Sequence, residues 1–260
     1  MNVTVFETAE QVARAAADRI VSAIRSQPAI VLTLPTGRTP VSTYAELVRR
    51  FRAGDVDFSR ATFFGLDEFL GLGLTHAGSF RGFLERHVFA HVNFDGARIH
   101  LLNGAAPDPE AECERYEAAI EAAGGIDLML LGIGGNGHIG FNEPGEQLAA
   151  RTHVVTLHTH TRHDNAELFD DDPSRVPAKA LSMGMATILK ASTLLLLATG
   201  RRKASCVERA VRGPLTTQLP ASFLQTHRSA ELYLDPDAAA VLREPPERSG
   251  RRVTRQAGAG

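Results

Sequence analysis

The stretch Ile126-Asp127-Leu128-Met129-Leu130-Leu131-Gly132-Ile133-Gly134-Gly135-Asn136-Gly137-His138-Ile139-Gly140-Phe141-Asn142-Glu143-Pro144-Gly145 decides the fold. Ile126 to Leu131 reads as a buried strand, and it runs into a glycine-rich turn that presents one histidine. A carboxylate follows five residues later, locked beside a proline. Gly132, Gly134, Gly135, Gly137 and Gly140 remove side-chain bulk, so the backbone can approach a ligand closely and adopt positive φ. His138 and Glu143 are thereby expected at the mouth of a pocket. A lone Gly-x-Gly is a weak signal, but glycines with His and Asn-Glu-Pro at fixed offsets form a much stronger one.

Outward from this strand, helix and strand signals alternate. Thr8 and Gln11 make a capping box, followed by the apolar stripe Val12, Ala16, Ile20 and Ile24. Ala29 to Leu34 reads as a strand that ends at Pro35-Thr36-Gly37-Arg38-Thr39-Pro40. Thr39 is expected to cap the next helix, with Pro40 in its first turn and Tyr44, Leu47, Val48 and Phe51 inward. Ala61 to Leu66 reads as a further strand with Asp67-Glu68 at its end, and Ser79 opens a helix bearing Phe80, Phe83 and Leu84. Asp108-Pro109 starts another helix, with Cys113, Tyr116 and Ile120 inward and Gly124-Gly125 closing it. Later strands are expected at 154–157, 193–198 and 231–234, with helices near 178–189 and 202–211.

Strands separated by helices of this length imply an α/β fold with three layers: a mostly parallel, Rossmann-like sheet with helices on both faces. No repeat and no Pro/Ser/Gly-rich linker interrupts the pattern, so residues 1–243 read as one domain. Residues 244–260, with Arg248, Arg251, Arg252 and Arg255, read as a disordered tail.

With 43% hydrophobic and 22% charged residues, the chain has the composition of an ordinary soluble globular protein. A net charge of −2 argues against non-specific nucleic-acid binding. No apolar run approaches the ~20 residues needed to span a membrane. The N-terminus also lacks the pattern of a signal peptide, so a cytoplasmic location is expected. Cys113 and Cys206 read as buried thiols, and neither has the spacing of a structural zinc site. His158-x-His160-x-x-His163 fits no closed metal site and reads as exposed loop.

In open parallel sheets, ligands bind outside the carboxyl ends of the strands. Three loops occupy that position: 36–40, 66–70 and 132–145. Thr36, Gly37, Arg38 and Thr39 sit where a strand feeds a helix, which suits either an anion site or an ordinary tight turn. Gly200-Arg201-Arg202-Lys203 is a second cationic turn of this kind, equally readable as a solvated helix start. Asp67 or Glu68 can serve as a general base, or as a helix or turn cap. His138 suits acid/base work with Glu143 orienting its ring, and it also suits a structural role.

Three segments, Leu66–Leu72, Gly132–Gly145 and Arg151–Leu157, together resemble the glucosamine-6-phosphate deaminases, and the likeness runs from about Val5 to Pro236. The related 6-phosphogluconolactonases share the fold but typically lack Asn142-Glu143-Pro144. The resemblance implies conversion of an aminosugar 6-phosphate and water into a ketose 6-phosphate and ammonia, with no metal and no organic cofactor. It implies that Asp67 moves the C2 proton to C1, that His138 opens the sugar ring with Glu143 as partner, and that Lys203 binds phosphate. Asn136 stands where some members carry Asp; it can orient His138 by a hydrogen bond but supplies no charge.

Two departures concern the phosphate end. Glu167 occupies the position of the family's phosphate arginine, and Arg38 replaces the second glycine of the usual Thr-Gly-Gly-Thr-Pro. These read as compensating changes, in which Arg38 supplies the guanidinium and Glu167 pairs with Arg38 or another cation. Pro220-Ala221-Ser222-Phe223-Leu224 is closer to the galactosamine-6-phosphate enzymes, which leaves the substrate epimer open. A lactonase and a silent sugar-phosphate-binding regulator are the remaining readings. Some relatives are hexamers and others monomers, so a homo-oligomer is compatible with the sequence. His153 replaces an arginine of the hexameric members, which argues against allosteric activation.

Overall fold

The computed structural model describes residues 1–73, 75–242 and 253–255. Eleven strands run in chain order: β1 (Asn2–Val5), β2 (Val31–Thr33), β3 (Thr62–Phe64), β4 (Asp67–Phe69), β5 (Ile99–His100), β6 (Leu128–Leu131), β7 (His153–Thr156), β8 (Lys179–Ser182), β9 (Thr193–Ala198), β10 (Ala230–Leu234) and β11 (Val253–Arg255). The helices are α1 (Ala9–Ser26), α2 (Val41–Arg52), α3 (Phe80–His87), α4 (Pro109–Ala122), α5 (Thr159–Asp164), α6 (Met185–Leu189) and α7 (Ala204–Arg212).

The main sheet has the order β11-β1-β10-β9-β6-β2-β3-β5, and every pair in it is parallel. Strand alternation sorts its side chains into two cores. Leu128 and Leu130 of β6 join Leu195 and Leu197 of β9 against α1, α2 and α3. Met129 and Leu131 join Leu194 and Leu196 on the other face, against α4 and α7. The expected layering of helix, sheet and helix is therefore present.

β2 and β6 are neighbours, with Leu32 opposite Leu128, yet the chain leaves them in opposite directions: β2 leads to β3 on one side, β6 eventually to β9 on the other. That divergence opens a crevice at their carboxyl ends, where an open α/β sheet takes its ligand.

Several expectations need correction. Asp67-Glu68 does not merely terminate the strand before it but begins β4 of a second, antiparallel sheet, ordered β4-β8-β7. The expected helix at 178–189 is strand Lys179–Ser182 followed by helix Met185–Leu189. The apolar residues there are compatible with a helical period, but cross-strand pairing with β4 and β7 wins. α2 starts at Val41 with Pro40 in the capping position, so Thr39 does not cap it. His158, His160 and His163 are exposed, as expected, but lie at the start of and within α5 rather than in a loop. The expected disordered tail, 244–260, lies outside the described residues, except that Val253–Arg255 pair with β1.

A small third core lies between the second sheet and the segment that follows it. Phe69, Phe80, Phe141, Leu157 and Phe169 pack together there, with the Phe69 ring 4.7 Å from Phe80 and 5.4 Å from Phe169. This cluster fixes the segment 157–169 against the strand that carries Asp67. No helix among the described residues is long and apolar enough to cross a membrane.

Candidate active site

The glycine-rich turn leaves β6 and folds back on itself. Gly134 donates its N–H to the His138 carbonyl at 3.0 Å, and Gly137, at φ +89°, donates to Gly134. A Cβ on Gly134 would lie inside van der Waals contact with the His138 ring, so glycine is what gives the imidazole its place. A Cβ on Gly137 would strike Leu219.

Inside this turn, Asn136 ties backbone to carboxylate. Its amide nitrogen donates to Glu143 Oε2 at 2.9 Å, and its oxygen accepts from the His138 backbone N–H at 3.1 Å. It thus positions Glu143 and the turn, and its hydrogen bond to His138 runs to the backbone rather than to the ring. His138 Nδ1 is 3.5 Å from Glu143 Oε2, longer than a well-formed hydrogen bond, and has no other partner among the described residues.

Glu143 is buried, and burial alone would raise its pKa. His138, the Thr161 hydroxyl and the Asn136 amide more than offset this and hold the carboxylate at about 2. It is therefore an anion at any pH near neutrality. Thr161 carries no signal in the sequence, and His158 reads there only as exposed loop. His158 donates its backbone N–H to Glu143 Oε1 at 3.4 Å, and its ring lies 3.7 Å from Oε2. Nothing in their local pattern announces these contacts, because they depend on α5 folding across the turn.

Asp67 and Glu68, adjacent in sequence, have opposite environments. Strand alternation sends the Glu68 carboxylate to the start of α3, where it accepts N–H groups from Phe69, Phe80 and Arg81 at 2.9, 3.0 and 3.2 Å. Burial nonetheless raises its pKa to about 7. Asp67, 9% exposed, receives no such donors among the described residues. Burial first, and the neighbouring Glu68 charge second, push its pKa well above the usual carboxylate range. The helix-cap reading therefore belongs to Glu68, and the free carboxyl is Asp67.

Ser182 couples Asp67 to the glycine-rich turn. It is paired with Asp67 across β4 and β8, and its hydroxyl accepts the Phe141 N–H at 3.0 Å. Asn142 adds a second tie, donating to the carbonyls of Ile139 and Met183 at 2.9 and 2.8 Å.

Thr36, Gly37 and Thr39 lie in the loop beyond the carboxyl end of β2, with Gly37 at φ +105°. Arg38 points outward from this loop and meets Glu167, its Nε 2.6 Å from Oε2. Lys203 follows β9, and its pKa is lowered by burial. The turn it occupies touches the glycine-rich loop through Cys206, whose thiol donates to the carbonyls of Lys203 and Gly134. The loops that follow β2, β3, β6 and β9 leave the same edge of the sheet, because these four strands are parallel neighbours.

Residues 4–234 match the family described as glucosamine-6-phosphate isomerases/6-phosphogluconolactonase. The chain is 48% identical to glucosamine-6-phosphate deaminase 1 of Giardia intestinalis, covering 87% of this chain and 85% of that one. It is 45% identical to the glucosamine-6-phosphate deaminase of Halothermothrix orenii, over 93% of this chain and all of the relative. Its structure superposes on a monomeric glucosamine-6-phosphate deaminase with a TM-score of 0.90 at 40% identity, covering 93% of this chain and 100% of the other. A Trypanosoma brucei 6-phosphogluconolactonase, at 20% identity and a TM-score of 0.72, shares the fold. Sequence, sheet order and crevice agree, and the chain belongs to the glucosamine-6-phosphate isomerase/6-phosphogluconolactonase family.

Proposed function

We propose that the chain is an aminosugar-6-phosphate deaminase that converts glucosamine 6-phosphate and water into fructose 6-phosphate and ammonia. The observation that carries this reading is a pair of separate proton-handling groups on segments that Ser182 ties together. Asp67 is a buried carboxyl with a raised pKa, and His138 with the anionic Glu143 forms an independent unit. A lactone hydrolysis has no use for a carbon base, whereas aldose–ketose isomerisation requires one.

In this reading, His138 moves the proton between O1 and the ring oxygen, and Glu143 steadies the imidazolium that forms. The opened aldehyde acidifies the neighbouring C2–H. Asp67 removes that proton, leaving a 1,2-enolamine, and returns it to C1. The resulting C2 imine is attacked by water, the C–N bond breaks, and ammonia leaves. Electrons balance within the substrate, so the isomerisation needs no external oxidant. Asn136 keeps Glu143 and the turn in register. The backbone of Thr36, Gly37 and Thr39, with Arg38 and Lys203, receives the phosphate.

The test is to incubate the protein with glucosamine 6-phosphate, galactosamine 6-phosphate and 6-phosphogluconolactone, following ammonia, ketose and acid. Ammonia and fructose 6-phosphate from the first substrate support the reading. Tagatose 6-phosphate from the second alone would move the assignment to the galacto epimer. Acid release alone would move it to lactone hydrolysis.

A further inference from the structure

The phosphate end of the crevice faces an acidic segment. Arg38 and Glu167 are 72% and 57% exposed at their side chains, yet they form a 2.6 Å ion pair that bridges the β2–α2 loop to the turn of 3-10 helix Ala166–Phe169. The charges of Asp171 and Asp164 also reach Arg38, and that of Asp164 reaches Lys203. Asp170 and Asp171, at φ 57° and 60°, both adopt the left-handed conformation that turns the chain after this short helix.

Cations within the same segment are already engaged. Arg162 donates to the carbonyls of Pro173, Ser174 and Val176, and Arg175 pairs with Asp170. Of the acidic groups, Asp164 is within 3.4 Å of His160, whereas Glu167 is committed to Arg38 itself. A phosphate dianion entering here meets Arg38 only after contending with a carboxylate already bound at its Nε.

We infer that Glu167 is an intramolecular competitor for the substrate phosphate: it occupies the Arg38 guanidinium in the free protein and must be displaced for the phosphate to bind. This rests on the reading that phosphate binds at Arg38 and Lys203. Glu167 then sets the affinity for phosphorylated ligands without touching the reacting carbons, and its return to Arg38 favours release of the ketose phosphate.

The experiment compares the whole protein with Glu167→Gln, which keeps the shape of the side chain and removes its charge. Binding of inorganic phosphate and of glucosamine 6-phosphate is measured by calorimetry, and KM and kcat are measured separately. For an exposed pair we expect Kd for both ligands, and KM, to fall roughly threefold at low salt, with kcat moving less. The effect shrinks as ionic strength rises. In an Arg38→Ala background the same substitution loses most of its effect, because there is no longer a guanidinium to compete for. Unchanged or weakened phosphate binding in Glu167→Gln, no phosphate binding at all, or a full effect in the Arg38→Ala background overturns the inference. Tighter phosphate binding in the variant with no turnover of any aminosugar phosphate would sink the deaminase reading and leave this one standing.

Discussion

Asn136 holds Glu143 by its amide nitrogen at 2.9 Å and the backbone of His138 by its amide oxygen at 3.1 Å, so one side chain ties Glu143 to the backbone of His138. Replacing it by alanine removes a donor from a buried carboxylate, a loss of about 1–3 kcal/mol. The sign with pH is fixed by Glu143, whose folded pKa of about 2 lies below its usual 4.5. Its contribution is present above pH 4.5 and fades as pH falls toward 2. The stability gap between wild type and Asn136→Ala, read from urea unfolding, should therefore narrow on acidification toward pH 2. A gap that stays constant from pH 6 to pH 2 would show that the donor supports something other than the carboxylate.

Asp67→Asn keeps the size of the side chain and removes its basicity. Turnover should drop by about two to four orders of magnitude, with sugar-phosphate binding retained. Its raised pKa also means that the ionised carboxylate costs stability, in the range above its ordinary value of 3.8. The variant should accordingly melt higher than wild type near neutral pH, and this advantage should vanish below pH 3.8. A less stable variant at neutral pH would mean that Asp67 has a structural partner.

Gly134→Ala places a methyl group against the His138 ring. Displacing the imidazole by about 1 Å should cost on the order of a hundredfold in kcat, and the crowding about 1–3 kcal/mol in stability. Gly137→Ala meets both a left-handed backbone and Leu219, so it should fail mainly in folding. Comparing kcat per folded molecule for the two variants distinguishes these outcomes.

Glu68 should matter for stability through α3. Glu68→Ala leaves three backbone N–H groups without their acceptor, an expected loss of roughly 2 kcal/mol by thermal or urea unfolding. Because burial raises its pKa from 4.5 to about 7, wild-type stability falls relative to Glu68→Gln as pH rises through that interval. A relative stability that does not change from pH 4.5 to 8 would contradict the buried-carboxyl account.

Sequence by itself determined the layered fold and the crevice. Buried strands such as Ile126–Leu131 alternate with amphipathic helices, and local chemistry of that kind is readable because its periods are fixed by backbone geometry. The glycine-rich turn could also be read, because positive φ and close approach leave few alternatives to glycine. Where the local period is ambiguous, as at Lys179–Ser182, sequence favours helix, and only pairing with β4 and β7 makes it strand. The same second sheet separated Asp67 from Glu68, which no one-dimensional pattern distinguishes as free carboxyl and helix cap. Tertiary structure alone placed Thr161 and His158 on Glu143, and it chose Arg38, 129 residues away, from the cations that the sequence left open as partners of Glu167. Proton affinity and charge pairing depend on distance and burial in space. A sequence states which groups are available for them, and only the folded chain states which groups meet.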